Sequence, residues 1–275
     1  MIKMEIRLGP AGIPTKTTGG TDQGIIDVAE MGLNAFEVEF VRGVHMSSEG
    51  ARKIGIIARD NDVSLSIHAP YFINLCQTDK AKLAKSKKWI IDSLDRGRLM
   101  EAKLIVFHPG AYGKLSKEEA FERAKEMCEE LSKHGSDCKI GLETVGKAGQ
   151  FGDLDENIRL SKAVKNVVPV VDFAHIYARN GGHINYEEVL DKWMSFHMSH
   201  YHSHFSCINF TKAKDDVGGN EKNHIPLIFG KPQFKELAKE IIKRKMNITI
   251  ISESPVLEQD SLVMKKDFQA LGVKF

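Results

Sequence analysis

Cysteine is scarce in this 275-residue chain, and the little it has is not paired in sequence. The four cysteines, at 76, 128, 138 and 207, form no CxxC, which argues against a zinc knuckle or a thioredoxin-type redox pair. So few cysteines in a chain this long fit a reducing compartment. Long apolar runs are missing as well. No stretch approaches the ~18 apolar residues of a membrane span. The opening MIKMEIRLGPAG also lacks the unbroken apolar core of a secretory signal, so a cytoplasmic protein is expected. Charge of one sign is not in excess: 39 basic residues stand against 37 acidic ones, a formal +2. That balance neither demands nor excludes a polyanionic partner; local patches decide. Internal repeats, low-complexity tracts and a linker-like composition shift are absent, and residues 1–275 are expected to form a single domain.

What is present is alternation. Short apolar stretches read as buried strands at 4–8 (MEIRL), 35–40 (AFEVEF), 64–68 (SLSIH), 104–108 (LIVFH), 139–143 (KIGLE), 168–172 (VPVVD), 202–206 (HSHFS) and 248–253 (ITIISE). Between them lie helical stretches. DQGIIDVAEMG opens on a capping Asp and closes on Gly, and SEGARKIGIIARDN carries an apolar stripe at 51, 54, 57 and 58. SKEEAFERAKEMCEELSKHG begins with a Ser and an acidic first turn, as a helix N-terminus favours. Strand alternating with helix implies a parallel sheet. Eight such units over about 250 residues imply an α/β protein, a (β/α)₈ TIM barrel. No GxGxxG follows the first strand, which disfavours the doubly wound alternative. The glycine-rich GGTDQG and DDVGGNEKN read as surface loops.

In such a barrel the chemistry sits at the C-terminal ends of the strands. Strand three ends in His68, strand four in His108 and strand five in Glu143. Strand six ends in Asp172 with His175 three residues on, strand seven near His204, and strand eight in Glu253. Imidazole nitrogens and carboxylate oxygens are ligands for zinc or manganese. Several carboxylates gathered on one rim would repel unless cations compensate them. Taken singly, a strand-end histidine is ordinarily structural, and Glu143 or Asp172 could pair with a lysine or cap the next helix; it is the coincidence of six that points to metal. His200 and His202 fall deeper in their strand and are expected in core or hydrogen-bonded roles. His45, His134, His183 and His197 are expected to be surface or structural.

The motifs IHAPYFINL, FHPGAY, GLETVG, VDFAHIYA, HSHFS, NHIPLIFG and ISESP, in that order along nearly the whole chain, resemble the endonuclease IV family of apurinic/apyrimidinic endonucleases. The resemblance implies a TIM barrel holding zinc. His68, His108 and Glu143 would bind one ion, with Glu143 shared with a second held by Asp172, His204 and Glu253. His175 and His224 would bind a third. Glu143 and Glu253 are the implied catalytic residues. The reaction implied is hydrolysis of the phosphodiester 5′ to an abasic site in double-stranded DNA, leaving a 3′-hydroxyl and a 5′-deoxyribose phosphate. Tyr71 and Phe72 match the family's base-stack wedge, Arg42 is a second wedge or phosphate contact, and Lys147, Lys212 and Lys214 are rim lysines able to meet phosphates.

Two departures from the family pattern stand out. The family carries Asp-x-His at the third zinc site, whereas EKNH places Lys222 where that Asp belongs. Glu221, Asp215 and Asp216 are the carboxylates at hand to substitute; without one of them the site is weak, empty or remodelled. Cys207, in HFSC, lies within a stretch where the family often carries an acidic residue. A competing reading is a sugar isomerase or epimerase on the related xylose-isomerase-like barrel, with Glu143, Asp172, His204 and Glu253 around one divalent metal. That reading leaves His108, His175 and His224 without a purpose. A non-catalytic DNA-binding relative is disfavoured by the intact ligand positions.

Overall fold

The computed structural model describes residues 4–134, 137–213 and 218–275. In chain order the elements are β1 (Ile6–Pro10), α1 (Thr21–Glu30), β2 (Ala35–Glu39), α2 (Ser48–Asp60), β3 (Ser64–His68), α3 (Lys80–Met100), β4 (Leu104–Phe107) and β5 (Gly110–Ala111). They continue with α4 (Lys117–Ser132), β6 (Lys139–Glu143), β7 (Gln150–Phe151), α5 (Leu154–Ala163), β8 (Val167–Asp172), α6 (Phe173–Arg179) and α7 (Tyr186–Met194). The last are β9 (Tyr201–Phe205), β10 (Cys207–Lys212), β11 (Gly219–Ile225), a 3₁₀ turn (Leu227–Phe229), α8 (Phe234–Arg244), β12 (Ile248–Ser252) and α9 (Glu258–Ala270). The eight-stranded sheet runs β1-β12-β9-β8-β6-β4-β3-β2, with helices between the strands, which is the (β/α)₈ fold expected from the alternation.

The chain divides into two compact units: Met1–Phe36 with Gly146–Ala148 and Val171–Phe275, and Glu37–Val145 with Gly149–Val170. In the second unit β3 pairs with β4, β4 with β6 and β6 with the start of β8, all parallel. The register sets Phe107 opposite Leu142, so that His108 and Glu143 follow side by side. In the first unit the end of β8 pairs with β9, β9 with β12 and β12 with β1. Here Asp172 faces His204, and Phe205 faces Ser252, one residue before Glu253. Each unit therefore aligns its own ligand-type residues at strand ends by register alone.

Helix starts follow local chemistry. Ser116 and Glu119 form the capping box at α4, as its Ser and acidic turn implied, and Asp153 with Glu156 does the same at α5. At α1 the expected Asp cap is not used: Gly20 is the N-cap, and Asp22 instead sits in the first turn. β1 spans Ile6–Pro10 rather than the expected 4–8, so Gly9 and Pro10 belong to the strand. A Cβ on Gly9 would lie 1.7 Å from the Ala35 carbonyl oxygen, so only glycine lets β1 approach the start of β2. The stretch DDVGGNEKN, expected as loop, contributes Gly219–Asn223 to the β10–β11 hairpin. That hairpin is largely exposed beyond Ile208, so it carries no alternating apolar signal.

Candidate metal centre

His68, His108 and Glu143 lie together in the second unit, their ligand atoms within 4.8 Å of one another. Glu143 Oε2 is 3.2 Å from His68 Nε2 and 3.2 Å from His108 Nε2. Donors about 2.0–2.1 Å from a tetrahedral zinc are about 3.3 Å apart. The cluster thus has the donor chemistry of a divalent-metal site, with each histidine at about that separation from Glu143. His68 Nδ1 contacts the Ala69 carbonyl at 2.9 Å, which assigns its proton to Nδ1 in the neutral ring and turns Nε2 to the centre.

Burial alone would lower the His68 pKa. The charge of Glu39, the hydrogen bond and charge of Glu143, and the charge of Glu37 outweigh it and raise the value from 6.5 to about 10. In metal-free protein this protonated histidine stabilises the fold fully below pH 6.5, and the contribution is lost as pH rises through about 10. Chelator-treated protein is therefore expected to lose urea stability between about pH 7 and pH 10, and His68→Gln to lose the larger part of that slope. Equal slopes in the two proteins would contradict the assignment.

Glu37 and Glu39 were not foreseen from the sequence. Glu37 is fully buried and accepts from Ser66 Oγ at 2.7 Å. The available signal was their i, i+2 spacing, which puts both carboxylates on one face of β2 in a strand that is otherwise apolar.

The first unit holds the other cluster. Asp172, His204 and Glu253 bring ligand atoms within 4.8 Å of one another, and so do Asp172, His175, His224 and Glu253. His204 Nδ1 is 3.2 Å from Glu253 Oε1. Asp172 caps α6 by accepting from the His175 backbone N–H at 2.8 Å, and its other oxygen lies 3.5 Å from His175 Nδ1. His175 Nε2 and His224 Nε2 face each other at 3.2 Å, and Glu221 Oε2 is 3.2 Å from His175 Nε2. Ser206 Oγ, 2.5 Å from His224 Nδ1, orients the second ring; nothing in the sequence had singled it out. Lys222 is exposed.

The remaining expected residues separate by environment. Tyr71 and Phe72 are 53 % and 67 % exposed, so neither ring is buried beneath its loop. Arg42 is exposed on the neighbouring loop, which the Tyr71 N–H joins by donating to the Val41 carbonyl at 3.4 Å. Lys147 Nζ pairs with Glu221 Oε1 at 3.5 Å, and Lys212 ends β10 exposed. Lys214, Asp215 and Asp216 lie outside the described residues. His200 binds Thr249 Oγ1 at 2.9 Å, away from the strand tips. Cys207 Sγ contacts the carbonyls of Pro232 at 3.3 Å and Leu227 at 3.6 Å, and burial pushes its thiol up to about 11. It ties the hairpin base to the following turn.

Residues 25–271 match the xylose isomerase-like TIM barrel family, and the chain belongs to it. Within that class its family is endonuclease IV: the chain is 30 % identical over 218 residues to a probable endonuclease 4 of Aster yellows witches'-broom phytoplasma, covering 74 % of this chain and 73 % of that protein. An uncharacterized protein of Methanocaldococcus jannaschii is 32 % identical, with 96 % and 97 % covered. Among solved structures, endonuclease IV from Thermus thermophilus aligns with a TM-score of 0.69 at 19 % identity, over 95 % of this chain and 98 % of that one. A D-tagatose 3-epimerase-like protein aligns with 0.71 at 18 %, over 97 % and 96 %. At such identities the structural likeness speaks for the fold alone.

Proposed function

We propose that this protein is a zinc-dependent endonuclease that hydrolyses the phosphodiester 5′ to abasic sites in double-stranded DNA, leaving a 3′-hydroxyl and a 5′-deoxyribose phosphate. The observation that carries the reading is the surplus of donors. His108, His175 and His224 each place Nε2 about 3.2 Å from another ligand-type atom, and an epimerase working with one ion has no use for them. The relatives named as endonuclease 4 support the same choice. The reading takes the chain as one catalytic domain, cytoplasmic and monomeric.

In this reading His68, His108 and Glu143 hold one ion; Asp172, His204 and Glu253 hold a second, with Glu143 shared as the family resemblance implies; His175 and His224 belong to a third. Zinc held there would supply a water whose pKa is lowered towards about 7 and positive charge against the phosphoryl oxygens. The protein's own part is placement. The Ala69 carbonyl and Ser206 fix two ring orientations before substrate arrives. Glu143 and Glu253 are the carboxylates beside the reacting phosphate. Tyr71, Phe72 and Arg42 engage the gap left in the duplex when the abasic nucleotide is extruded.

Metal analysis tests this reading: two or three zinc ions per chain are expected, and a single manganese would favour the epimerase. Replacing Tyr71 and Phe72 together by alanine is expected to raise KM for an abasic duplex about tenfold or more, since ring–base stacking contributes about 1–3 kcal/mol per base, while zinc content stays unchanged. An unaltered KM would remove the wedge role.

A further inference from the structure

The strongest departure from the family pattern is Lys222, and the strand that carries it is irregular at that residue. In a regular antiparallel strand residues 222 and 224 share a face, and residue 221 points the other way. Here the β10–β11 register slips. Asn209 pairs with Asn223, but the next residue, Phe210, pairs with Glu221, so Lys222 is the extra residue of a bulge. The slip breaks the alternation. Lys222 is turned out to solvent, and Glu221 joins the face that carries His224.

We infer that Glu221 is a further anionic ligand of the His175–His224 metal site, beside Asp172 and Glu253, taking the place of the family's Asp through a one-residue bulge. This rests on reading the cluster as a metal site and not on the identity of the substrate. Three features of the Glu221 side chain support it. Its Oε2 lies 3.2 Å from His175 Nε2, the same separation as between the two facing Nε2 atoms, and close to the ~3.3 Å edge of a tetrahedral zinc site. Its Oε1 pairs with Lys147 at 3.5 Å, while Oε2 is the oxygen turned to His175. Its position is fixed from behind by Gly146, whose N–H donates to Oε2 at 3.0 Å and whose carbonyl accepts from the Glu221 N–H at 2.9 Å. A Cβ at residue 146 would fall 2.1 Å from Oε2, so the glycine of GLETVG leaves room for this carboxylate.

The test uses zinc as probe and binding as readout. Full-length wild type, Glu221→Gln and Lys222→Asp are stripped of metal and titrated with zinc, and bound zinc is counted per chain. Cobalt(II) absorption in parallel reports the ligand set. Glu221→Gln keeps the shape and the contact with Gly146 but removes the charge. It is expected to lose one zinc, or to bind it at least about tenfold more weakly, and to change the cobalt spectrum. Lys222→Asp is expected to leave stoichiometry as in wild type. Undiminished zinc binding in Glu221→Gln, or a zinc gained in Lys222→Asp, would overturn the assignment. Thermal unfolding of the stripped proteins checks that Glu221→Gln folds. If it does not, the Lys222→Asp arm alone decides. Neither outcome depends on DNA cleavage, so failure here is distinct from failure of the nuclease reading.

Discussion

Glu143→Ala is expected to lower cleavage of an abasic duplex by at least about a thousandfold, the loss of about 4 kcal/mol of transition-state stabilisation. Glu143 is fully buried, and one oxygen sits 3.2 Å from both His68 Nε2 and His108 Nε2. Without it the two imidazoles keep their places but lose the carboxylate of their cluster. A dication would then be left among neutral donors, with its affinity and position both compromised. Glu143→Gln separates charge from shape: the amide fills the same volume but brings no negative charge, and a similar loss is expected. Single-turnover nicking with zinc content measured on the same samples is the check. Cleavage near the wild-type rate in either variant would refute the role assigned to Glu143.

Gly9→Ala is expected to be the most destabilising small substitution in β1. The added carbon would lie 1.7 Å from the Ala35 carbonyl oxygen and 2.3 Å from its carbon, both backbone atoms. A side chain could rotate aside, but this backbone is held: the Asn34 N–H donates to the Leu8 carbonyl at 3.1 Å, and Asn34 Oδ1 accepts from the Leu8 N–H at 2.8 Å. The strands must part, and a loss of about 3 kcal/mol or more is expected. For a chain of this size that is a fall in Tm of roughly 10 °C. Gly149→Ala is the control, since a Cβ there meets nothing within 4 Å. Urea or thermal unfolding of the two variants decides; a loss under about 1 kcal/mol for Gly9→Ala would show that the close approach is not rigid.

Much of this architecture could be read in the sequence because barrels write it twice. The strands are short, apolar and regularly spaced, and their last residues carry the chemistry. SLSIH and KIGLE begin and end as expected, at Ser64–His68 and Lys139–Glu143. His68, His108 and Glu143 come together as their positions at adjacent strand ends implied, and so do Asp172, His204 and Glu253.

What could not be read depends on local geometry rather than residue pattern. The β10–β11 hairpin buries little, so its sequence shows no period, and its register slip at Lys222 leaves no trace in composition. Glu221 is one of three carboxylates at hand in the sequence, and neither the slip nor the Gly146 contact that marks it can be read there; Asp215 and Asp216 lie outside the described residues. Ser206 is one serine among many until its hydroxyl is seen beside His224. Glu37 and Glu39 could have been caught, since two acids two residues apart in a buried strand share a face that has to offset their charge. Here His68 provides that offset.

The most direct test of the account is a single cleavage measurement. A duplex oligonucleotide bearing one synthetic abasic site, labelled at its 5′ end, is incubated with zinc-loaded protein, and the products are sized. The account predicts one nick immediately 5′ to the lesion, a labelled product ending in a 3′-hydroxyl that a polymerase can extend, and no cut in the undamaged duplex. An intact strand with zinc fully bound, or conversion of a ketose under manganese in place of nicking, would contradict it.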